Sequence, residues 1–372
     1  MPHTPPLHSP DLDLRDRIAA AWADGTLLLP LRRPDEPIAL PGVPAHVLPT
    51  GLSGEAQVSF AGSGTHFEVW RVDREEGGPI AVRIPHVPAS ELVQPMSHEV
   101  AALISAPAGV APSPFAFHDD PAQSPIGVPY LAVEFMPGHP LAPADWTLEH
   151  LRAHARTLAH LHTITAPGRG PIELGPDPWA SATDRSPALL PEAEQLADWV
   201  RDGADGVIPR ERLEPILTAM LTRVQRLNPL LTSLDGFVLA HGDLCATNIT
   251  WDLDATEPTA RYIDFEWAQA DDPARDLAII GGRVHTGPWY IPLDDHQVDA
   301  FVRTYAQART DLGNAPASAT DPASLRERMR LWTAFERTGM LGHVARRSRT
   351  SSEYARLLPR LQRTLEAELG VR

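Results

Sequence analysis

The chain has 372 residues, 43% hydrophobic and 22% charged, long enough for a soluble globular protein with two lobes and a sizeable core. Its net charge of −16 (32 basic and 48 acidic residues) disfavours nucleic acid, whose affinity comes largely from neutralised phosphates, and suits either a cationic small molecule or simple solubility. A lone cysteine, Cys245, excludes an intrachain disulfide and fits a cytoplasmic home. No apolar run approaches the ~18 residues of a membrane helix, and Asp11, Asp13 and Asp16 close off the proline-rich start, so no signal peptide is expected.

A flexible tail over residues 1–12 runs into a first helix, Asp11 to Ala23, with Leu14, Ile18 and Trp22 on one face. Pro30 to Pro49 is too rich in proline for a regular helix. Three strands follow: Gln57 to Ala61, the alternating run Phe67 to Val72, and Ile80 to Ile84. Gly62-Ser63-Gly64-Thr65 and Asp73 to Pro79 are the turns between them, which makes an antiparallel meander. A helix over Ser97 to Ser105 is broken by Pro107 to Pro114, and Tyr130 to Phe135 is a further strand ended by Pro137-Gly138.

Beyond that point the pattern turns helical. Leu151, Ala155, Leu158 and Leu161 form one apolar stripe, with Thr147 as its N-cap. More helices are expected at Pro191–Arg201, Arg212–Leu227, Val298–Arg309, Leu325–Arg346 and Glu353–Leu369. Strands Phe237–Ala240, Ile249–Asp252 and Arg261–Ile263 interrupt them. Segregated strands and helices predict an α+β fold with an N-lobe over 13–137 and a C-lobe over 138–372.

The chemistry concentrates in His241-Gly242-Asp243-Leu244-Cys245-Ala246-Thr247-Asn248 and in Ile263-Asp264-Phe265-Glu266. Phosphoryl transfer needs a carboxylate at the attacking hydroxyl and oxygen ligands for magnesium beside the nucleotide phosphates. Asp243 is the candidate for the first task, either taking the proton or orienting the hydroxyl. Asn248 and Asp264 are the candidates for the second. Gly62, Ser63 and Gly64 fit a turn whose amides approach phosphate oxygens. Arg83 sits on the third strand, where protein kinases carry a lysine, and Glu99 in the next helix is its natural partner; the chain has no lysine at all. Glu134-Phe135-Met136 matches the linker between lobes. Glu266 is open between a role near the metal, a substrate contact and a surface carboxylate. His160 and His162 read as ordinary helix residues, and Cys245 as a bystander.

The loop from His241 to Asn248 resembles the catalytic loop of the aminoglycoside phosphotransferase family, which includes choline-kinase-like and macrolide-kinase-like enzymes. Gly242 after the histidine points to this small-molecule branch, because protein kinases usually place arginine there. Ile263-Asp264-Phe265-Glu266 is similar to the family's metal-binding strand. Asp272-Pro273 and Asp276-Leu277-Ala278 are similar to its downstream element, in which Asp276 would brace the catalytic loop. The order of elements from Gln57 to Ala278 also fits. The resemblance implies a two-lobed protein-kinase-like fold: a small antiparallel-sheet N-lobe that binds the nucleotide and a larger, mainly helical C-lobe.

The expected activity is ATP- or GTP-dependent, magnesium-assisted phosphorylation of a small-molecule hydroxyl, with an aminoglycoside or macrolide antibiotic as the first acceptor to consider. Neither nucleic acid nor membrane is an expected partner. Asp271, Asp272, Asp294 and Asp295 offer a rim for a cationic sugar, although solvated loop carboxylates are the plainer reading. Trp289 and Tyr290 instead suit an apolar pocket. A metabolite kinase of the choline, homoserine or sugar type, and a non-catalytic kinase-shaped binding protein, are the rivals.

Overall fold

A computed structural model describes residues 11–28, 32–33, 36–37, 56–75, 77–252 and 257–371. Residues 1–10 of the expected tail, and most of the proline-rich connection, lie outside the described residues. The described chain divides into two compact units. The first runs to Pro137 and also takes in Ile172–Pro178 and Ile263–Trp267. The second comprises Gly138–Pro171, Trp179–Tyr262 and Ala268–Arg372.

The first unit is built on an antiparallel sheet. Its strands are β1 (Gln57–Ser63), β2 (Phe67–Asp73), β3 (Ile80–Pro85), β4 (Pro114–His118) and β5 (Tyr130–Glu134), in spatial order β1-β2-β3-β5-β4. Side chains alternate across the pleat. Trp70 and Val72 of β2 and Ile80, Val82 and Ile84 of β3 bury one face with Leu14, Ile18 and Trp22 of helix α1 (Leu12–Ala23). Asp11 caps α1 by accepting the Asp13 N–H at 3.0 Å. Glu68, on the same buried face, accepts the Trp70 indole N–H at 3.1 Å, which offsets the cost of burying its carboxylate. Arg83 alternates to the opposite face of β3, where its guanidinium lies 4.8 Å from the Phe67 ring centroid.

One sequence expectation for this unit is corrected, and one strand was not foreseen. Gly62 and Ser63 belong to β1 rather than to the turn, because the strand continues past a bulge between Phe60 and Gly62. The turn is shorter, and Gly64 closes it by donating its N–H to the Phe67 carbonyl at 2.8 Å. Strand β4 begins at Pro114, where a helix-breaking proline cluster had masked it. A proline is tolerated there because β4 lies at the sheet edge and Pro114 is its first residue.

The second unit is mainly helical. Its longer helices are α3 (Leu148–Leu161), α4 (Leu190–Ala204), α5 (Arg210–Thr232), α6 (Pro273–Ile279), α7 (Asp295–Leu312), α8 (Pro322–Ser348) and α9 (Ser352–Leu369), with short strands among them, several of these between α5 and α6. Thr147 caps α3, its hydroxyl accepting the His150 N–H at 3.3 Å. Helix α5 runs through Pro229 instead of stopping at Leu227, since Leu227 and Leu231 are both buried and their packing outweighs the lost hydrogen bond. The long α8 packs against α4, α5, α6 and α9. Asp272 ties α6 to it, accepting the Arg328 Nε–H at 3.0 Å and the Trp332 indole N–H at 2.9 Å.

Candidate active site

The candidate catalytic loop leaves β6 (Phe237–Ala240), a wholly buried strand paired with β9 (Gln269–Asp271). Gly242 has φ 81°, a left-handed conformation that a side chain would strain, so glycine is needed where the chain turns into Asp243. The turn is pinned by Asp276, which is fully buried in the first turn of α6. Its Oδ2 accepts the His241 N–H at 2.7 Å, and its Oδ1 accepts the Gly242 N–H at 2.9 Å. The expectation that Asp276 braces the loop therefore takes a definite form: one carboxylate orients the two peptides preceding Asp243.

His162 completes the brace. Nε2 stands 3.1 Å from Asp276 Oδ2, and Nδ1 stands 2.8 Å from the Tyr305 hydroxyl. An ionised carboxylate can only accept, so Nε2 carries the proton and Nδ1 accepts from Tyr305. Burial pushes the His162 pKa below its ordinary value despite the pull of Asp276. Burial works the other way on Asp276, but hydrogen bonds from His162 and the His241 amide, with the nearby histidines, hold its pKa below the usual carboxylate range. His162 is thus more than the ordinary helix residue its sequence position suggested. Its partners lie far along the chain, and no local pattern announces them.

Asp243 is half-buried, and its N–H donates to His241 Nδ1 at 3.3 Å. A single 3-10 turn, Ala246–Asn248, carries Asn248 back toward it. The Asn248 amide donates to the Asp243 carbonyl at 2.8 Å and to its carboxylate Oδ2 at 3.1 Å. This fixes Asp243 and leaves the amide oxygen of Asn248 as a hard ligand. The strand β7 (Ile249–Trp251) then pairs with β8 (Ala260–Tyr262), returning the chain beside Ile249 at Tyr262.

In the first unit, Arg83, Glu99 and Asp264 come together. Arg83 Nη2 lies 3.2 and 3.3 Å from the two oxygens of Glu99 and 2.6 Å from Asp264 Oδ1. Glu99 sits in the first turn of α2 (Met96–Ser105), where the helix dipole favours a carboxylate. Burial opposes the charge of Arg83, yet Glu99 and Asp264 outweigh it and raise its pKa, so the guanidinium stays charged. For Glu99, burial and the neighbouring Asp264 and Glu266 push the pKa up against the pull of Arg83. Asp264 has φ 70°, uncommon for a residue with a side chain and a mark of local strain at functional positions.

The hairpin glycines carry less than expected. The Gly64 N–H is spent on closing the turn, and a Cβ on Gly62 would meet nothing within 4 Å. The fold itself therefore makes no demand for glycine at position 62 and leaves open space above it. The turn instead presents a residue that the sequence did not single out. His66 Nδ1 lies 3.1 Å from Glu266 Oε1 and 3.2 Å from Oε2. The hydrogen bond to Glu266 raises the His66 pKa despite burial.

Half of the expected acidic rim is closed off, while Asp294 and Asp295 are exposed. Asp271 and Asp272 are each 1% exposed and engaged by Arg169, Arg275 and Arg328. Asp294 caps α7, and Asp295 pairs with Arg283 and Arg326. Among the described residues, no cluster of three or more His, Cys, Asp or Glu side chains could hold a metal ion, and no helix is long and apolar enough to cross a membrane. Asn248 and Asp264 each carry a hard oxygen of the kind that magnesium takes.

An antiparallel sheet bearing a buried, carboxylate-paired arginine, followed by a helical unit with a braced Asp–Asn loop, is how a small-molecule kinase is constructed. The chain belongs to the phosphotransferase enzyme family, whose model matches residues 57–319, and so to the enzymes that phosphorylate a small-molecule hydroxyl. No curated protein matches it in sequence. Solved structures share the protein-kinase-like fold at low identity. Choline kinase from Cryptosporidium parvum superposes with a TM-score of 0.55 at 15% identity, covering 85% of this chain and 87% of that one. Ethanolamine kinase from Plasmodium vivax gives 0.54 at 15%, covering 84% and 81%. The GDP and kanamycin complex of APH(2")-IIia gives 0.55 at 18%, covering 84% and 93%.

Proposed function

We propose that the protein transfers the γ-phosphoryl group of ATP or GTP to a hydroxyl of an antibiotic of the aminoglycoside or macrolide type, with magnesium as the metal. The observation that carries the reaction is the Asp243–Asn248 pair on a loop pinned by Asp276. Asp243 receives the acceptor hydroxyl. The hydroxyl oxygen forms a bond to the γ-phosphorus as the bond from that phosphorus to the β–γ bridging oxygen breaks. The proton passes to Asp243 and on to solvent, and the products are a phosphate monoester and a nucleoside diphosphate.

Asn248 and Asp264 are the proposed oxygen ligands of magnesium, which when bound offsets charge on the phosphates. Arg83 spends Nη2 on Glu99 and Asp264 and its Nε is buried, so Nη1 is the donor assigned to phosphate oxygens. Gly62, Ser63 and Gly64 are assigned to the same phosphates by their place in the hairpin, with open space above Gly62 and the Gly64 N–H already committed to the turn. The intact set of Asp243, Asn248 and Asp264 argues against the non-catalytic reading, because a decayed site rarely keeps all three.

The test is a panel of aminoglycosides, macrolides and hydroxylated metabolites, each incubated with purified protein, magnesium and ATP or GTP. Formation of a phosphate monoester of one antibiotic, with matching nucleoside diphosphate, is the expected result. Phosphorylation confined to choline, homoserine or a sugar would replace the antibiotic reading with a metabolite kinase. Failure to bind nucleotide would remove the catalytic reading altogether.

A further inference from the structure

Next to the catalytic loop the second unit carries a wall of aromatic side chains that the reaction above does not use. Cys245 of the loop packs with Ile279 and Tyr290 in a small buried cluster, and the half-buried Trp289 and Met340 lie against it. The Trp289 carbonyl accepts the Ala246 N–H at 2.8 Å, so the strip carrying Trp289 is tied to the loop three residues past Asp243. From Trp289 the wall continues outward. The Trp289 and Tyr354 ring centroids are 5.6 Å apart, and His343 lies 5.7 Å from Tyr354.

The wall is held in place by its surroundings. Gly287 has φ 59°, and a Cβ there would stand 2.7 Å from two carbons of the Trp289 ring and 3.3 Å from Leu357. The indole therefore rests on a backbone that only glycine leaves bare. Two arginines lie against the aromatic rings, while the carboxylates of Asp243 and Glu336 also act on Tyr290. The Arg347 guanidinium lies 5.6 Å from the Tyr354 ring, and the buried Arg337 lies 3.6 Å from the Tyr290 ring, donating to the carbonyls of Ala278 and Ile279. Half-buried aromatic surface favours an apolar face, and fixed positive charge beside it disfavours a polycation. Of the four acids considered for a rim, Asp271 and Asp272 are enclosed by arginines, whereas Asp294 and Asp295 are exposed.

We propose that Trp289, Met340, His343 and Tyr354 form the acceptor wall of this kinase and select a bulky alcohol with an apolar face and at most one positive charge. The acceptor packs its apolar face on Trp289 and Tyr354 and turns its hydroxyl toward Asp243. This rests on the phosphotransfer reading and narrows its acceptor from two antibiotic types to the macrolide-like kind.

The experiment compares erythromycin and kanamycin as acceptors for wild type, Trp289→Ala, Trp289→Phe and Tyr354→Ala, with separate KM values for acceptor and nucleotide. Wild type is expected to phosphorylate erythromycin and not kanamycin. Trp289→Ala and Tyr354→Ala are expected to raise the erythromycin KM about tenfold or more, the loss of roughly one aromatic contact. The nucleotide KM should move less than about twofold, a change too small to report a lost contact, and Trp289→Phe should recover most of the acceptor affinity. Thermal melting of each variant shows whether it is folded. A preference for kanamycin, or an acceptor KM indifferent to both alanine variants, overturns the wall while leaving phosphotransfer intact. An enzyme that phosphorylates no acceptor and turns over no nucleotide overturns the phosphotransfer reading and the wall with it.

Discussion

Replacing Asp276 by asparagine keeps its shape and removes one acceptor oxygen and the charge. The carboxylate accepts from Gly242 at Oδ1 and from His241 and His162 at Oδ2. The asparagine does least damage by keeping its oxygen in the Oδ2 position, which leaves its NH2 facing the Gly242 N–H. A buried donor without a partner costs about 1–3 kcal/mol, and the two remaining bonds lose their charge assistance, at about 1 kcal/mol more. The expected destabilisation is about 2–4 kcal/mol, a large share of the ~5–15 kcal/mol that holds a domain together.

Gly242 directly precedes Asp243, so the freed peptide also misplaces the carboxylate proposed to be catalytic. A displacement of ~1 Å in such a group costs on the order of 10²-fold in rate. Urea denaturation gives the first quantity and steady-state kinetics the second. We expect the denaturation midpoint to fall and kcat to drop about 10²-fold while the nucleotide KM changes little, because Asp276 is assigned no ligand contact. Full kcat in a destabilised variant would show that Asp276 supports the fold and not the loop. Full kcat at wild-type stability would refute the brace itself.

Arg83→Ala leaves Glu99 buried without its cation, so it should destabilise the protein by about 3–5 kcal/mol and strongly weaken nucleotide binding in a fluorescent-nucleotide titration. Wild-type kinetics in this variant would refute the assignment of Arg83. The His66–Glu266 pair predicts a pH dependence. The folded-state pKa of His66 is raised above 6.5, so its contribution is fully present below that value and is lost as pH rises through the folded value. The melting-temperature difference between wild type and His66→Ala should therefore shrink from weakly acidic to alkaline pH; a difference that grows over that range contradicts the ion pair.

What could be read in the sequence, and what could not, follows from the range of the interactions. The alternation of Phe67 to Val72, the stripe from Leu151 to Leu161 and the His241–Asn248 loop are local patterns, and the structure shows the elements they describe. Glu99 was legible as the partner of Arg83 because one strand-to-helix step links them. His66 with Glu266 and His162 with Asp276 join residues 200 and 114 positions apart, with no periodicity to mark them. The same blindness misjudged Asp271 and Asp272, which look like exposed acids in a polar string. Only the fold shows that Arg169, Arg275 and Arg328 enclose them. Helix α5 outran its expected end because burial of Leu231, a tertiary effect, outweighed the local cost of Pro229.

Asp243 is the residue on which the proposed reaction depends, and its removal is the most direct test. Asp243→Ala and wild type would be compared for magnesium-dependent formation of nucleoside diphosphate and phosphate monoester, with nucleotide binding measured on the same samples. The account predicts that the variant binds nucleotide as wild type does and forms no phosphorylated product. Phosphoryl transfer persisting at the wild-type rate in Asp243→Ala would contradict it.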